Sequence, residues 1–187
     1  MINHAALLDK PTIDGRLVRL APLAPRHAEA LWRSTLDPEV RRLTGTRREF
    51  TLESIRTWCA ERAGCPDRLD LAVEDPADGT FLGDLALNDL DPDSESAGFR
   101  IALTAGHPGR GLGTEATVLL LRYAFEEVRL HRVELEVFAH NPRAVRAYEK
   151  AGFVHEGRSR QALLWDGERH DVLRMAALRT EWRPAPA

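Results

Sequence analysis

The residues with the clearest chemical potential form a short glycine-rich turn, Pro108-Gly109-Arg110-Gly111-Leu112-Gly113-Thr114. The turn lies between a strand predicted over 97–103 and a helix predicted over 114–128. A strand, a glycine turn and a helix start place free backbone N–H groups and the positive end of the helix dipole around one point. The glycines permit close backbone approach, while the arginine and threonine add donors. The pattern predicts an anion site, and a phosphate group is the natural ligand.

Two common phosphate-binding sites do not fit this turn. The spacing is not GxGxxG followed by an acidic residue, as in dinucleotide sites, and no Gly-Lys-Ser/Thr completes a nucleoside-triphosphate loop. Glycines at the start of a helix can also form nothing more than a tight turn, and that interpretation stays open at this point.

The elements that must position the turn can be predicted from hydrophobic spacing and turn residues. Strands are predicted over 16–20, 69–74, 80–87, 97–103 and 133–138, with two more around Trp165-Asp166-Gly167. Helices are predicted from Pro25 to an interruption at Asp37-Pro38, from Thr51, over 114–128 and over 141–151. This order predicts an α/β fold in which antiparallel meanders combine with one right-handed βαβ crossover, from strand 97–103 to strand 133–138.

A second motif follows the crossover: Asn141-Pro142-Arg143-Ala144-Val145-Arg146-Ala147-Tyr148-Glu149-Lys150-Ala151-Gly152-Phe153, then Glu156-Gly157. The glycine turn, continued by Glu115-Ala116, resembles the pyrophosphate turn of the GNAT superfamily of N-acetyltransferases. The second motif is similar to the last-helix motif of the branch that contains ribosomal-protein N-terminal acetyltransferases. With the final hairpin, the resemblance spans essentially the whole chain.

The resemblance implies a mixed, mostly antiparallel sheet with helices on both faces and acetyl-CoA as cosubstrate. The sheet would be splayed at the crossover, with the pantetheine arm in the gap and the thioester at the sheet centre. Asn141 would contact that arm, and Tyr148 would be catalytic by protonating the departing thiolate; a helix cap and a core residue are their alternative roles. The implied cofactor-binding residues are Ile101, Leu103, Gly109, Arg110, Gly111, Leu112, Gly113, Thr114, Asn141 and Arg146.

Several positions depart from the family pattern. Pro108 stands where a basic residue commonly begins the turn, so Arg110 and backbone N–H groups must carry that role. Ala144 replaces a serine proposed as an acid, and Leu163 follows segment 160–162, in which some relatives carry an acidic base. Glu95 is one place away from a position where a glutamate is common. No general base can therefore be identified from the sequence.

The missing base bears on the acceptor, because only a neutral amine attacks a thioester. An α-amine with a pKa near 8 is about a tenth neutral at pH 7, and a lysine is about two hundred and fifty times worse off. A protein or peptide N-terminus is the favoured acceptor, and a small-molecule amine, such as an antibiotic or amino acid, is the alternative. The loops near 41–50 and 89–95 are expected to set the acceptor side. A non-catalytic acyl-CoA-binding module and a scaffold with a coincidental glycine turn remain rival hypotheses.

Length, charge and cysteine content favour a single domain and argue against several classes of partner and site. The 187 residues are expected to form one domain, frayed from about residue 184. A net charge of -3 with interspersed signs argues against nucleic acid as a partner. Cys59 and Cys65 form no CxxC pair, so no metal site is expected. No signal peptide and no membrane span are predicted, which favours the cytoplasm. The oligomeric state stays open, with a homodimer among the alternatives.

Overall fold

The structure, a computed structural model, describes residues 1–106 and 109–183. Pro108 and the tail from residue 184, both named in the predictions above, lie outside the described residues. The helices are α1 (His4–Leu8), α2 (Ala28–Leu36), α3 (Pro38–Thr44), α4 (Leu52–Arg62), α5 (Leu112–Glu126) and α6 (Pro142–Ala151). The strands are β1 (Ile13–Asp14), β2 (Arg19–Pro22), β3 (Leu69–Glu74), β4 (Phe81–Asp91), β5 (Ser96–Leu103), β6 (Arg132–Phe138), β7 (Val154–Trp165) and β8 (Glu168–Leu178).

The strands form a mixed sheet in the order β1-β2-β3-β4-β5-β6-β8-β7. Every neighbouring pair is antiparallel except β5 and β6, which are parallel and are joined through α5. The predicted fold class, with antiparallel meanders and one βαβ crossover, is therefore confirmed. Within the described ranges 1–106 and 109–183, none of the helices has both the length and the apolar character needed to cross a membrane.

The two parallel strands separate soon after they meet. Pairing between β5 and β6 covers three residue pairs and ends at Gly98 and Glu134. Beyond that point β5 stays paired with β4, and β6 stays paired with β8. We call the wedge between β5 residues 99–103 and β6 residues 135–138 the splay gap. The predicted splay of the sheet at the crossover is thus present.

Helices cover both faces of the sheet, as predicted, and β3 shows why. All six of its residues are buried, so it needs apolar cover on both sides. Leu71 and Val73 face the main core with α1, α5 and α6, which we call the α5 face. Ala72 faces the opposite way, into a second cluster with α2 and α4, which we call the α2 face.

The strand predicted over 16–20 starts too early, because β2 begins only at Arg19. Residues 16–18 instead bend around a side chain from α5. The carboxylate of Glu115 accepts hydrogen bonds from the backbone N–H groups of Arg16 (3.1 Å), Leu17 (2.6 Å) and Val18 (2.8 Å). A strand cannot direct three successive N–H groups at one point, so the carboxylate imposes a turn.

Helix α3 was not predicted, since residues 41–50 were interpreted as loop. Asp37-Pro38 does end α2, but it also begins α3. The Asp37 side chain accepts a hydrogen bond from the Val40 N–H (2.9 Å), and Pro38 occupies the first helical turn. An Asp cap followed by proline is a standard helix start. Helix α5 also begins two residues earlier than predicted, at Leu112.

Candidate cofactor and acceptor site

Residues 109–114 of the glycine turn form the N-terminal end of α5. Gly109 and Gly111 both have positive φ angles, +77° and +80°. Gly111 caps the helix in the left-handed conformation, and the Glu115 N–H donates to its carbonyl (3.0 Å). The N–H groups of the first turn, including those of Leu112 and Gly113, therefore lie at the positive end of a fifteen-residue helix. This geometry suits a phosphate group.

Glu115 fixes this helix end against the sheet. Its three hydrogen bonds to residues 16–18 join α5 to the chain that leads into β2. Gly15 is needed for the fit, because a Cβ atom there would lie 2.8 Å from the Glu115 carboxylate and 2.7 Å from the Val18 carbonyl. The sequence interpretation assigned Glu115 only to the family pattern and missed this contact. An acidic residue in the first turn of a helix is the signal that could have suggested an anchor.

The end of β5 meets the glycine turn at the wide end of the splay gap. A Cβ atom on Gly113 would lie 3.4 Å from Leu103 Cδ1. Ile101 and Leu103 are partly buried and pack on the α5 face. Their strand has no β6 partner at these positions. The structure thus brings together Ile101, Leu103, Gly109, Gly111, Leu112, Gly113 and Thr114.

Leu112 and Arg110 occupy contrasting positions within this group. The Leu112 side chain is 3% exposed and belongs to the main core, so only its backbone can face a ligand. Arg110 is exposed beside the turn, where its charge can reach an anion at the helix end. Thr114 is partly buried in the first turn of α5.

Asn141 lies across the gap, at the start of α6. Its Oδ1 atom accepts a hydrogen bond from the Ala144 N–H (3.1 Å), which makes it the helix cap. The cap uses the oxygen and leaves the amide NH₂ as a donor, so a cap and a cofactor contact are compatible. Arg146, one helical turn further on, is exposed.

Tyr148 lies on the α5 face within an aromatic cluster. Its ring is 8% exposed and packs edge-on against Phe99 of β5, with 6.1 Å between centroids, and against Phe153 at 5.9 Å. Burial raises the pKa of Tyr148 to about 12. Among the described residues, its hydroxyl has no hydrogen-bond partner. The side chain is therefore both a core residue and a protonated phenol available to a ligand.

The glutamate considered near β5 is already engaged. Glu95 has a positive φ of 51° and pairs with the Met1 ammonium, and its carbonyl accepts from the N–H groups of His131 and Arg132. That pairing lowers its pKa. In segment 160–162, Gln161 donates its N–H to Asp171 (2.7 Å). Neither place presents an uncommitted carboxylate as a general base.

An open cleft lies between the α2–α3 region and the β7–β8 hairpin. Two adjoining depressions of about 960 and 450 Å³ share Arg41, Trp165 and Asp166. The Arg41 guanidinium donates to the carbonyls of Thr35, Arg47 and Arg48, and so holds the segment after α3 against the helix. Several residues of segment 41–50 line this cleft, whereas none of loop 89–95 does.

Comparisons with known proteins agree with this arrangement. Residues 17–154 match the family model described as the Acetyltransferase (GNAT) domain. The spermidine N(1)-acetyltransferase of Vibrio cholerae is 34% identical over 110 residues, which cover 59% of this chain and 63% of that protein. The [ribosomal protein uS5]-alanine N-acetyltransferase of Escherichia coli K12 is 32% identical over 76 residues, 41% of this chain and 39% of that protein. The matched stretches thus span less than two thirds of either relative.

A solved structure shows that the fold extends beyond those stretches. The V. cholerae spermidine N-acetyltransferase in complex with CoA and spermine superimposes with a TM-score of 0.81 at 24% identity. The match covers 88% of this chain and 97% of that one. The family model covers well over half of the chain, and the glycine turn, the splay gap and the last helix all lie where the resemblance predicts. The chain therefore belongs to the GNAT family of acetyltransferases.

Proposed function

We propose that this chain transfers the acetyl group of acetyl-CoA to a primary amine, and that the acceptor is the α-amine of a protein or peptide. The observation that carries the proposal is the position of the α5 glycine turn beside the wide end of the splay gap. The turn offers N–H groups and a helix dipole to a pyrophosphate. The adjacent gap offers unpaired strand backbone to an extended arm. The CoA thioester would supply the activated acyl carbon.

In the proposed reaction, the acceptor amine and the proton donor lie on opposite faces of the sheet. The acceptor amine enters from the α2 face, where the open cleft lies. Tyr148 lies on the α5 face, where it donates its proton to the departing thiolate. Asn141 orients the arm through its amide NH₂, and Gly109, Arg110 and Gly111 hold the diphosphate. The cofactor-binding set stated above is retained with these roles.

The charge of the cleft supports a peptide α-amine over a polyamine. A polyamine carries several positive charges and calls for an excess of carboxylates. The cleft instead balances its charges, with three of each sign among its lining residues: Arg41, Arg42, Arg47, Glu39, Glu49 and Asp166. Trp32, Phe50 and Trp165 add apolar surface on which an extended peptide can lie. The spermidine-acetylating relative supports a polyamine as the second candidate.

The decisive experiment measures CoA thiol release with a panel of amines. The panel contains a peptide with a free α-amine, the same sequence with that amine blocked and one lysine free, and spermidine. We expect the free α-amine to be preferred. Preference for spermidine would overturn the proposed acceptor and leave acetyl transfer standing. No thiol release with any amine would favour an acyl-CoA-binding module.

Cofactor binding is tested separately by thermal or chemical unfolding. A ligand that binds only the folded state adds about 2.7 kcal/mol to the free energy of unfolding at a hundredfold excess over its Kd. Acetyl-CoA at millimolar concentration should therefore raise the melting temperature. An unchanged melting temperature would contradict the proposed binding of acetyl-CoA.

The proposal also includes a single domain and a cytoplasmic location for this chain. The oligomeric state is left undetermined, and a homodimer is one of the alternatives.

A further inference from the structure

A histidine cluster lies at the end of β6, directly before the Asn141 cap. The His140 ring stacks on Phe138 with 5.5 Å between centroids and meets the His170 ring edge-on at 4.5 Å. Helix α3 covers the cluster from above, because a Cβ atom on its capping residue, Gly45, would lie 2.8 Å from the Phe138 ring. The cluster therefore lies between the sheet and the helix that lines the acceptor cleft.

The hydrogen bonds of His140 define its tautomer. Its Nε2 atom lies 3.1 Å from the Arg42 carbonyl oxygen, which can only accept, so Nε2 carries the proton. The other ring nitrogen, Nδ1, is buried and has no hydrogen-bond partner among the described residues. In the neutral ring Nδ1 is then a bare lone pair. Buried polar atoms of this kind are rare in folded proteins and require an explanation.

The alternation of β6 places the His140 ring on the side of the sheet opposite the α5 face. Val133, Leu135 and Val137 are buried in the main core on the α5 face. Phe138 has the opposite orientation and lies under α3, and His140 stacks on it. Tyr148, by contrast, packs into the core on the α5 face. The His140 ring and the Tyr148 phenol thus lie on opposite sides of the sheet, beside the splay gap.

We propose that His140 is the general base of this enzyme and that its Nδ1 atom accepts the proton of the acceptor ammonium, directly or through one water. This inference rests on the proposed acetyl transfer and supplies the base that the sequence did not name. Nδ1 is buried, so the contact forms through a local shift or a bridging water; catalytic hydrogen bonds commonly close only in the complex.

The electrostatic surroundings keep the ring neutral and ready to accept a proton. Burial lowers the pKa of His140, and the nearby charges of His170 and Arg42 lower it further, whereas the hydrogen bond to the Arg42 carbonyl acts in the opposite direction. These groups face the ring from β8 and α3. A base with a pKa below its ordinary value of 6.5 is unprotonated at neutral pH.

The protons of the reaction balance with these two groups. The acceptor ammonium gives one proton to His140, and the neutral nitrogen then forms its bond to the thioester carbonyl carbon. The C–S bond breaks, and Tyr148 protonates the thiolate. The new amide nitrogen loses its second proton to solvent, His140 returns its proton to solvent, and Tyr148 regains one. Overall, an ammonium and a thioester give an amide, a thiol and one released proton.

The first test measures the tautomer without turnover. Two-bond ¹H–¹⁵N NMR correlations of ¹⁵N-histidine protein distinguish a protonated Nε2 with a bare Nδ1 from the opposite tautomer. The His140→Gln variant assigns the signal. We expect the Nε2–H form at neutral pH and a titration midpoint below 6.5. A proton on Nδ1 at neutral pH would overturn the proposal.

The second test separates proton acceptance from a structural role. The His140→Gln side chain keeps a donor for the Arg42 carbonyl but cannot take a proton. For a peptide whose α-amine is protonated, we expect kcat/KM to fall about a hundredfold or more, within the usual range for one general base. An arylamine, which is already neutral, should lose little. Equal losses with both amines would indicate structural damage and overturn the assignment.

A matched control and the cofactor assay keep the two proposals distinguishable. His155 is exposed on β7, where it pairs with Glu149 (2.9 Å), and His155→Gln should leave both activities unchanged. The wild-type profile should lose activity as the pH falls through the His140 pKa, and His140→Gln should lose that limb. A retained limb would overturn the role of His140 alone. Absence of turnover in the wild-type protein would instead overturn the proposed function, and the tautomer measurement would still decide the base.

Discussion

At the residue scale, burial gives Tyr148 a phenol that keeps its proton throughout the pH range of an acetylation assay. Its pKa of about 12 leaves the phenol protonated well above neutral pH, so a proton is available for the departing thiolate. The pKa of the corresponding thiol is about 8.5. The same burial makes Tyr148 a weaker acid, which limits its contribution. The catalytic role that we propose for Tyr148 is therefore that of a proton donor held in place by packing.

Tyr148→Phe tests this role while keeping the ring that packs on Phe99 and Phe153. We predict that kcat falls roughly ten- to a thousandfold, while the affinity for acetyl-CoA changes little, because the hydroxyl acts mainly on the leaving group. Steady-state kinetics with a peptide amine and a cofactor titration of the same variant provide the measurement. Wild-type turnover would reduce Tyr148 to a core residue and leave solvent to protonate the thiolate.

Glu115 is the residue whose loss should cost the most stability near the site. Glu115→Ala leaves the N–H groups of residues 16–18 without their shared acceptor, and hydrogen bonds to charged groups are the strong ones. We predict a decrease of about 2–4 kcal/mol in the free energy of unfolding. Denaturant titration measures it, with Glu126→Ala, an exposed position at the other end of α5, as the control. Equal effects of the two substitutions would contradict an anchoring role.

At the element scale, two glycines at the N-terminal end of α5 are needed for different reasons. Gly111 is needed for its backbone conformation, and Gly113 is needed for the space that a side chain would fill. Gly111 has a φ of +80°, so a side chain there strains the backbone whatever the ligand does. Gly111→Val would therefore perturb the fold as well as the anion site. Gly113 lies in the first helical turn without a positive φ, and its Cβ position is 3.4 Å from Leu103 Cδ1. It is the cleaner site for a test.

Gly113→Val should abolish the stabilisation by acetyl-CoA while the variant remains folded, because the added methyl groups lie where the diphosphate must approach the backbone. Thermal unfolding with and without cofactor measures the effect. Gly157→Val serves as the matched control, since a Cβ atom there has no neighbour within 4 Å. Normal cofactor binding by Gly113→Val would place the anion site elsewhere.

Element by element, prediction from sequence succeeded where the signal was local. Strand 69–74 was predicted with its observed bounds, and the helix predicted over 141–151 matches α6 to within one residue. The bend at 16–18 was missed because it depends on Glu115, about a hundred residues away in the chain. Helix α3 was missed because Asp37-Pro38 was interpreted only as an end. The role proposed for His140 could not be predicted, because its tautomer and burial depend on α3 and β8, which no sequence motif specifies.

At the scale of the whole molecule, a buried charge network should make the fold sensitive to acid. His27 accepts from the Ala24 N–H at Nδ1 (3.1 Å), and its Nε2 lies 2.8 Å from Glu74. Burial lowers the pKa of His27, and the Arg26 charge lowers it further, although Glu74 acts against both. Burial also opposes the charge on Glu74, but the hydrogen bonds from His27 and Arg26 outweigh it and hold its pKa below the ordinary value.

Both shifts have the same consequence for stability. The unfolded chain binds a proton on His27 near pH 6.5, whereas the folded chain does not, so unfolding takes up protons below that pH. The free energy of unfolding should therefore fall as the pH falls below about 6.5, and Glu74 should add to the loss near pH 4.5 and below. Chemical denaturation of the wild type and His27→Gln at about pH 7.5 and about pH 5.5 measures the histidine contribution. A slope as steep in the variant as in the wild type would contradict it.

The splay gap also bears on how the protein behaves before any ligand arrives. Residues 99–103 and 135–138 present strand edges without a strand partner, and such edges are templates for pairing with another chain. The three residue pairs that join β5 to β6 keep these two edges on either side of the splay gap. An arm that fills the wedge would cover both edges at once. In the proposed binding mode, acetyl-CoA would therefore also protect the protein from self-association, and depletion of acetyl-CoA would favour aggregation as well as loss of activity.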